Sequence, residues 1–427
     1  MKETLVLCTQ FYPFTDYDRY ADVEFEALFK EFKRVYIIST DKDSPITRQL
    51  PPHVKVIRFL PEVLPIDKFF SIRFLFNLLF YKELWLVMRQ YKKRLSFRLL
   101  KEILLYMTEG YAYHLLLKKL VYHEKLDTGN MVIYSYWMLS HNFAACLLKR
   151  KNPKVLVFSR AHGFDLYFER NTLHYLPFRK ICFEGIDALF FISADGRNYF
   201  KKVHHIDASR EKNLHVNRLG IQNARPEPVH TKKPGRLRIV SNSWLLDFKR
   251  VDMIIDVLAQ LQGVDIEWTH FGGNSRDLEY FNRFVAKAEM LLKPLSHISY
   301  QLKGSTPLHE IFEYYQSHEV DVFLHLSAYE GLPVSMMEVM SFGIPVISTD
   351  VGGVSEIVKD MYNGILLSAH PSLDEVCGAL KKVSDLDPEK YVSMSRNAYK
   401  TWSSDFNAEK NSQQLIEDMK SYMPSEN

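Results

Sequence analysis

Two glutamates, Glu330 and Glu338, bracket the stretch Gly331-Leu332-Pro333-Val334-Ser335. Gly331 lets the backbone turn closely, and Pro333 suits a first helical turn, where its missing N–H costs nothing. A helix start carries unpaired N–H groups and a partial positive charge, so Leu332 to Ser335 form a natural seat for a pyrophosphate. Glu338 lies about five residues inside, roughly 7 Å along an axis that rises about 1.5 Å per residue. Its carboxylate would reach a ribose beside the phosphates, while Glu330, on the loop before the helix, would meet hydroxyls on their far side. Two carboxylates around an anion seat suit a ligand whose phosphates lie between two polyols, as in a nucleotide sugar. Ordinary packing with both glutamates solvated is the plain alternative, and glycine turns or helix caps alone do not exclude it.

The elements that position these groups are legible around them. Val320 to Leu326 is apolar and β-branched enough for a buried strand. Gly343 and Pro345 end the short helix, and Ile344 to Ser348 resume a strand. The simplest reading is a right-handed strand–helix–strand unit of a parallel sheet.

Taken whole, the string from Glu330 to Glu338 resembles the Glu-x7-Glu signature of the retaining glycosyltransferases of family 4, whose fold is GT-B. Ser341-Phe-Gly-Ile-Pro-Val346 and Thr349-Asp-Val-Gly-Gly353-Val-Ser-Glu356-Ile-Val read as that family's continuation. The resemblance implies an α/β protein with two Rossmann-like doubly wound domains facing a cleft. A nucleoside diphosphate sugar would be held mainly by the second domain.

Other residues fall into place on this resemblance. Lys249, at a strand-to-helix junction, can pair with phosphate as a point charge and matches the family's donor-phosphate motif. That motif has an arginine five residues earlier, where this chain has Trp244; adjacent Arg250 is a candidate replacement. Gly272-Gly273 ends a strand in a turn that admits close approach by a ligand, and the loop at Lys303-Gly304-Ser-Thr-Pro would lie near the nucleotide base. In the first half, Arg160-Ala-His162-Gly-Phe-Asp165 closes a strand, where open α/β sheets place ligands. His162 resembles the family's active-site histidine, facing the transferred sugar or the acceptor; Asp165 would orient the imidazole or touch the acceptor. The first loop departs from the family, with Phe14, Thr15 and Asp16 where a Gly-Gly pair often lies near the donor phosphates.

A chain of 427 residues suggests two domains. With a Pro-rich linker at 224–235, the resemblance implies an acceptor-side, Rossmann-like domain at residues 1–223, a nucleotide-sugar domain at 236–400, and helices at 401–427 that cross back to the first domain. A formal net charge of +4 is too small to imply nucleic acid. Cys8, Cys146, Cys182 and Cys377 lack metal or redox spacing and read as buried thiols of a reducing compartment. The amino terminus lacks a signal peptide's apolar core, and no uncharged apolar run approaches a membrane span. A cytoplasmic protein is expected. Residues 68–125 interleave Lys68, Arg73, Lys82, Arg89, Lys92, Lys93, Arg94, Arg98 and Lys101 with Phe69, Phe70, Phe74, Phe76, Phe80 and Trp85. They read as helices resting on an anionic membrane, peripheral at the inner face of the cell membrane, or as helices packed on their own domain with solvated charges.

The implied reaction transfers a sugar from a nucleoside diphosphate sugar to the hydroxyl of a glycan or lipid-linked acceptor, with retained configuration and without a metal or other cofactor. Lys249 and the helix start would stabilise the departing diphosphate, Glu330 would hold sugar hydroxyls, and Glu338 the ribose. Bacterial polysaccharide or glycolipid assembly is the expected setting. A sugar phosphorylase, a nucleotide-sugar epimerase and a catalytically silent GT-B partner subunit are the alternatives.

Overall fold

The computed structural model describes residues 2–15, 20–60, 74–223, 231–233, 235–273 and 278–423. It divides into two compact units, Met1–Arg218 with Glu409–Asn427, and Leu219–Ala408.

The first unit opens with β1 (Thr4–Thr9), α1 (Asp22–Glu31), β2 (Arg34–Ser39) and β3 (Val54–Arg58). An excursion of two helices follows, α2 (Leu78–Trp85) and α3 (Phe97–His123). The alternation then resumes with β4 (Met131–Ser135), α4 (Ser140–Lys151), β5 (Leu156–Ala161), α5 (Arg179–Gly185), β6 (Ala188–Phe191), α6 (Ala194–His204) and β7 (Leu214–Val216). The strands are parallel in the order β3-β2-β1-β4-β5-β6-β7. β1, β4 and β5 are buried at every position, as expected of strands covered on both faces. Ile103, Met107 and Tyr113 of α3 and Phe143 of α4 fill one side. Phe25, Leu28 and Phe29 of α1 fill the other.

The second unit runs β8 (Arg236–Asn242), α7 (Val251–Gln260), β9 (Asp265–Phe271), α8 (Leu278–Leu292), β10 (Ile298–Leu302), α9 (Leu308–Ser317) and β11 (Val322–His325). It continues through α10 (Val334–Met340), β12 (Val346–Thr349), α11 (Val354–Ile357), β13 (Gly364–Leu367), α12 (Leu373–Asp385) and α13 (Pro388–Asp405). Its six strands pair in the order β10-β9-β8-β11-β12-β13, again all parallel. α7 shows how the layers form: Val251, Ile254, Ile255 and Leu258 recur on one helical face and are buried against the sheet. In both sheets the strand order reverses beside the first strand, between β1 and β4 and between β8 and β11. In doubly wound sheets a ligand crevice opens outside the carboxyl ends at such a point.

The last helix, α14 (Ala408–Lys420), places Leu415, Ile416 and Met419 in the core of the first unit. The division between units falls after Arg218, ahead of the Pro-rich stretch, and of that stretch 224–230 and 234 lie outside the described residues. Inside the second unit the outgoing and returning chain are joined, with Ile221 bridging Asn407 and the Trp402 indole N–H donating to Ile221 O at 3.0 Å. A Cβ on Gly220 would collide with the Ala408 backbone, so glycine is required there. All four cysteines are unpaired; Cys8, Cys146 and Cys182 are buried. No helix among the described residues is long and apolar enough to cross a membrane.

Candidate functional site

At the switch point of the second sheet, the loop after β8 carries Lys249 and the loop after β11 carries Glu330. A backbone hydrogen bond from Ala328 N–H to Phe248 O, 2.6 Å, ties one loop to the other. Lys249 Nζ lies 2.5 Å from Glu330 Oε1, and His325 Nε2 lies 2.7 Å from the same oxygen. Burial pushes the Glu330 carboxyl up, but the His325 ring and the Lys249 ammonium outweigh it and hold the carboxyl well below its ordinary value. Among the described residues no side-chain hydrogen bond reaches Glu330 Oε2, which leaves that oxygen for a ligand. The loop is clasped from outside as well: Gly353 N–H donates to Gly331 O at 2.8 Å. Gly352 has a φ of +56°, and a Cβ there would collide with Glu330 O.

A cavity of about 340 Å³ gathers Lys249, Gly272, Gly273, Val334, Ser335 and Glu338. Pro333 caps α10, and Glu338 is the fifth residue of that helix. Its side chain is buried, and burial pushes its carboxyl up to about 7. Gly272 has a φ of +118°, and a Cβ there would strike Ser243 O. Its N–H donates to Gly304 O at 2.7 Å, joining the ends of β9 and β10 and forming one cavity wall.

Not every sequence candidate lines this cavity. Gly331 and buried Leu332 form the loop behind it, and Lys303 instead uses its backbone N–H on His270 O at 2.9 Å. Its neighbours Ser305 and Thr306 line the wall, as do Asn242, Ser243 and Trp244. Arg250 turns away in a left-handed conformation, donating to Ala369 O at 3.0 Å with a second guanidinium nitrogen 2.8 Å from His370 Nδ1. Among the described residues the cavity therefore has Trp244, and no second cation, beside Lys249. His325 escaped the sequence reading, although it carries the signal used for His162, a histidine at the carboxyl end of an apolar strand.

In the first unit, His162 follows β5 and packs against the rings of Tyr136 and Trp137, with centroids 4.8 and 4.0 Å away. Burial lowers its basicity, partly offset by Asp165, and among the described residues neither ring nitrogen has a hydrogen-bond partner. Asp165, expected to orient the imidazole or touch the acceptor, is hydrogen-bonded to two backbone amides. Its oxygens accept the backbone N–H groups of His162 (2.8 Å) and Met138 (2.9 Å), and it has no exposed surface. The imidazole is 3.9 Å away. Asp165 thereby fixes the loops after β4 and β5 against each other.

The loop after β1 is closed by Phe14, which is buried under the Arg58 guanidinium, 3.9 Å from its ring centre. Arg48 binds Thr15 O at 2.9 Å. The described start of the loop, through Thr15, is therefore filled by side chains. Asp16, Lys68, Phe69, Phe70, Arg73 and Asn274 lie outside the described residues.

Two parallel doubly wound sheets, the second with a cation, two carboxylates and a glycine wall at its switch point, define a protein of the GT-B fold. Residues 225–401 match the model of the family glycosyl transferases group 1. WcaL of Escherichia coli strain K12, named for colanic acid biosynthesis, is 28% identical over 261 residues, 58% of this chain and 59% of WcaL. The O-antigen biosynthesis glycosyltransferase WbnH of Escherichia coli is 37% identical over 174 residues, 40% of this chain and 45% of WbnH. The match thus spans less than two thirds of either relative. HepE of Anabaena, solved in complex with UDP and glucose, superimposes with a TM-score of 0.62 at 13% identity, covering 98% of this chain and 100% of that one. At that identity the likeness shows the fold.

Proposed function

We propose that this protein is a retaining glycosyltransferase that moves a sugar from a nucleoside diphosphate sugar to an acceptor hydroxyl in the assembly of a bacterial surface polysaccharide. The observation that carries the reading is the Lys249–Glu330–His325 cluster, set beside a cavity that also receives Glu338. Lys249 would meet the diphosphate, with the backbone of Val334 and Ser335 beside it, and this positive charge would stabilise the leaving group with no call on a bound metal. Glu330 Oε2 would accept sugar hydroxyls, its ionised form secured by Lys249 and His325. Glu338 would accept the ribose hydroxyls. His162 of the first unit would serve the acceptor or the transferred sugar. No protein nucleophile is assigned; the leaving phosphate would assist deprotonation of the acceptor. The names of WcaL and WbnH, and the UDP and glucose held by HepE, support this choice of donor class and pathway. Calorimetric titration with a panel of UDP and GDP sugars tests it. Binding that is lost in Glu338→Ala and Lys249→Ala is expected; equal affinity in both variants and wild type would overturn it.

A second reading, a catalytically silent GT-B partner subunit, draws on Trp244 beside Lys249 and the outward turn of Arg250. Donor hydrolysis above background by the pure protein, abolished in Lys249→Ala, would exclude it.

A further inference from the structure

The exposed apolar surface of the first unit is concentrated in one short stretch. Leu75, Phe76, Leu78, Tyr81, Trp85, Met88, Leu95, Phe97 and Leu105 are all exposed, with Phe76, Leu78 and Phe97 each at least 85% accessible. On α2 and the turn after it, Leu78, Tyr81, Trp85 and Met88 follow one another at helical spacing, so one continuous outward face is apolar. The inward face is well anchored: Phe80, Leu86 and Val87 are in the core, and buried Glu83 accepts from Phe178 N–H at 2.6 Å and from the Tyr175 hydroxyl. The helix is therefore seated on its domain, and its apolar side is left over. Monomeric proteins rarely expose so compact a patch without a use for it.

The same stretch is basic. Arg89, Lys92, Lys93, Arg94, Arg98 and Lys101 are interleaved with the apolar residues, and all but Lys93 are exposed. Among the described residues no carboxylate pairs with Arg89, Lys92, Lys93, Arg94 or Lys101; Lys82 pairs with Glu184 at 2.6 Å. A second copy of this face would bring cations against cations. A negatively charged lipid surface meets both features at once, taking aromatic and aliphatic side chains into the headgroup boundary and pairing its phosphates with the basic residues.

We infer that α2, the turn after it and the start of α3 form a docking face for an anionic bilayer. This stands apart from the donor reading, since it lies in the other unit and shares no residue with the cavity.

The test is flotation of the full chain with vesicles of phosphatidylcholine alone and of phosphatidylcholine with phosphatidylglycerol in equal parts. Binding to the anionic vesicles, weakened by salt, is expected. Trp85→Asp with Phe97→Asp should keep the fold, since both side chains are exposed, and lower vesicle affinity at least about tenfold. Reversing Lys92, Lys93 and Arg94 to Glu should abolish the preference for anionic vesicles. Failure to float with either vesicle, or binding unchanged in both variants, would overturn the inference. So would a wild-type dimer in sedimentation that the Trp85/Phe97 variant dissociates, which would assign the face to a second copy. Nucleotide affinity, measured on the same variants, should stay at the wild-type value, so loss of vesicle binding and loss of donor binding are told apart.

Discussion

Glu330 and Lys249 stand 81 positions apart in the chain, and their charged ends meet at 2.5 Å beside the cavity. The lysine is thus held ready by a carboxylate that His325 also grips. A diphosphate entering the cavity would share an ammonium already in place, which spares the entropy of ordering a long side chain.

Removing that ammonium should weaken nucleotide binding. A hydrogen bond to a charged group contributes about 1.5–3 kcal/mol, so Lys249→Ala should raise the dissociation constant for the matching nucleoside diphosphate about tenfold to a hundredfold. Glu330 keeps His325 in the variant, so the protein should remain folded, with a modest fall in melting temperature. Calorimetry and a thermal scan on one preparation check both.

Acid should act through Glu330. Its folded-state pKa is depressed, so its contribution to stability is present above the unfolded value and lost as pH falls through the folded one. In Glu330→Gln the melting temperature should therefore fall less steeply than in wild type below about pH 4.5. Parallel curves for the two proteins would show that the carboxylate has no such coupling.

Glu338 should act in the opposite sense. Its carboxyl is raised from 4.5 to about 7 by burial, so its contribution to stability is full below the unfolded value and lost as pH rises through about 7. Glu338→Gln should accordingly gain stability over wild type as pH rises from 4.5 through about 7. Accepting ribose hydroxyls needs the ionised form, so wild-type nucleotide affinity should rise with pH through about 7. The Gln variant should bind weakly at every pH. Isothermal titrations at several pH values read this directly.

Gly352→Ala tests the clasp behind the site. A Cβ there would meet Glu330 O, and the φ of +56° disfavours any side chain. A strained non-glycine residue in that region costs about 1–3 kcal/mol. The variant should be destabilised by about that amount and bind nucleotide more weakly, although Gly352 is not among the residues lining the cavity. Wild-type affinity in the folded variant would show that the loop tolerates the shift.

Much of the site could be read from consecutive residues. The apolar run before Glu330, Pro333 at the helix start and Gly343 at its end predict β11, α10 and β12, and all three form. Lys249 and Gly272-Gly273 were each found at a strand end, by the periodicity of the residues before them. Arg160 shows the limit of such reading. It looks like part of a polar strand end, yet it is fully buried and pairs at 2.6 Å with Glu24, 136 positions away on α1. Burial pushes its guanidinium toward the neutral form, but Glu24 outweighs this and raises its pKa. Nothing near either residue announces the other.

The sequence alone determined the alternation of strands and helices, the two-domain α/β class, and the loop with a glutamate on either side, because turn chemistry and apolar spacing are local properties. Only the tertiary structure decided that His325 joins Glu330, that Arg250 faces away from the cavity while Trp244 lines it, and that Asp165 is spent on backbone amides. Those outcomes depend on strand order and on loops meeting across a sheet, and the spacing of residues along the chain carries no record of which loops will meet.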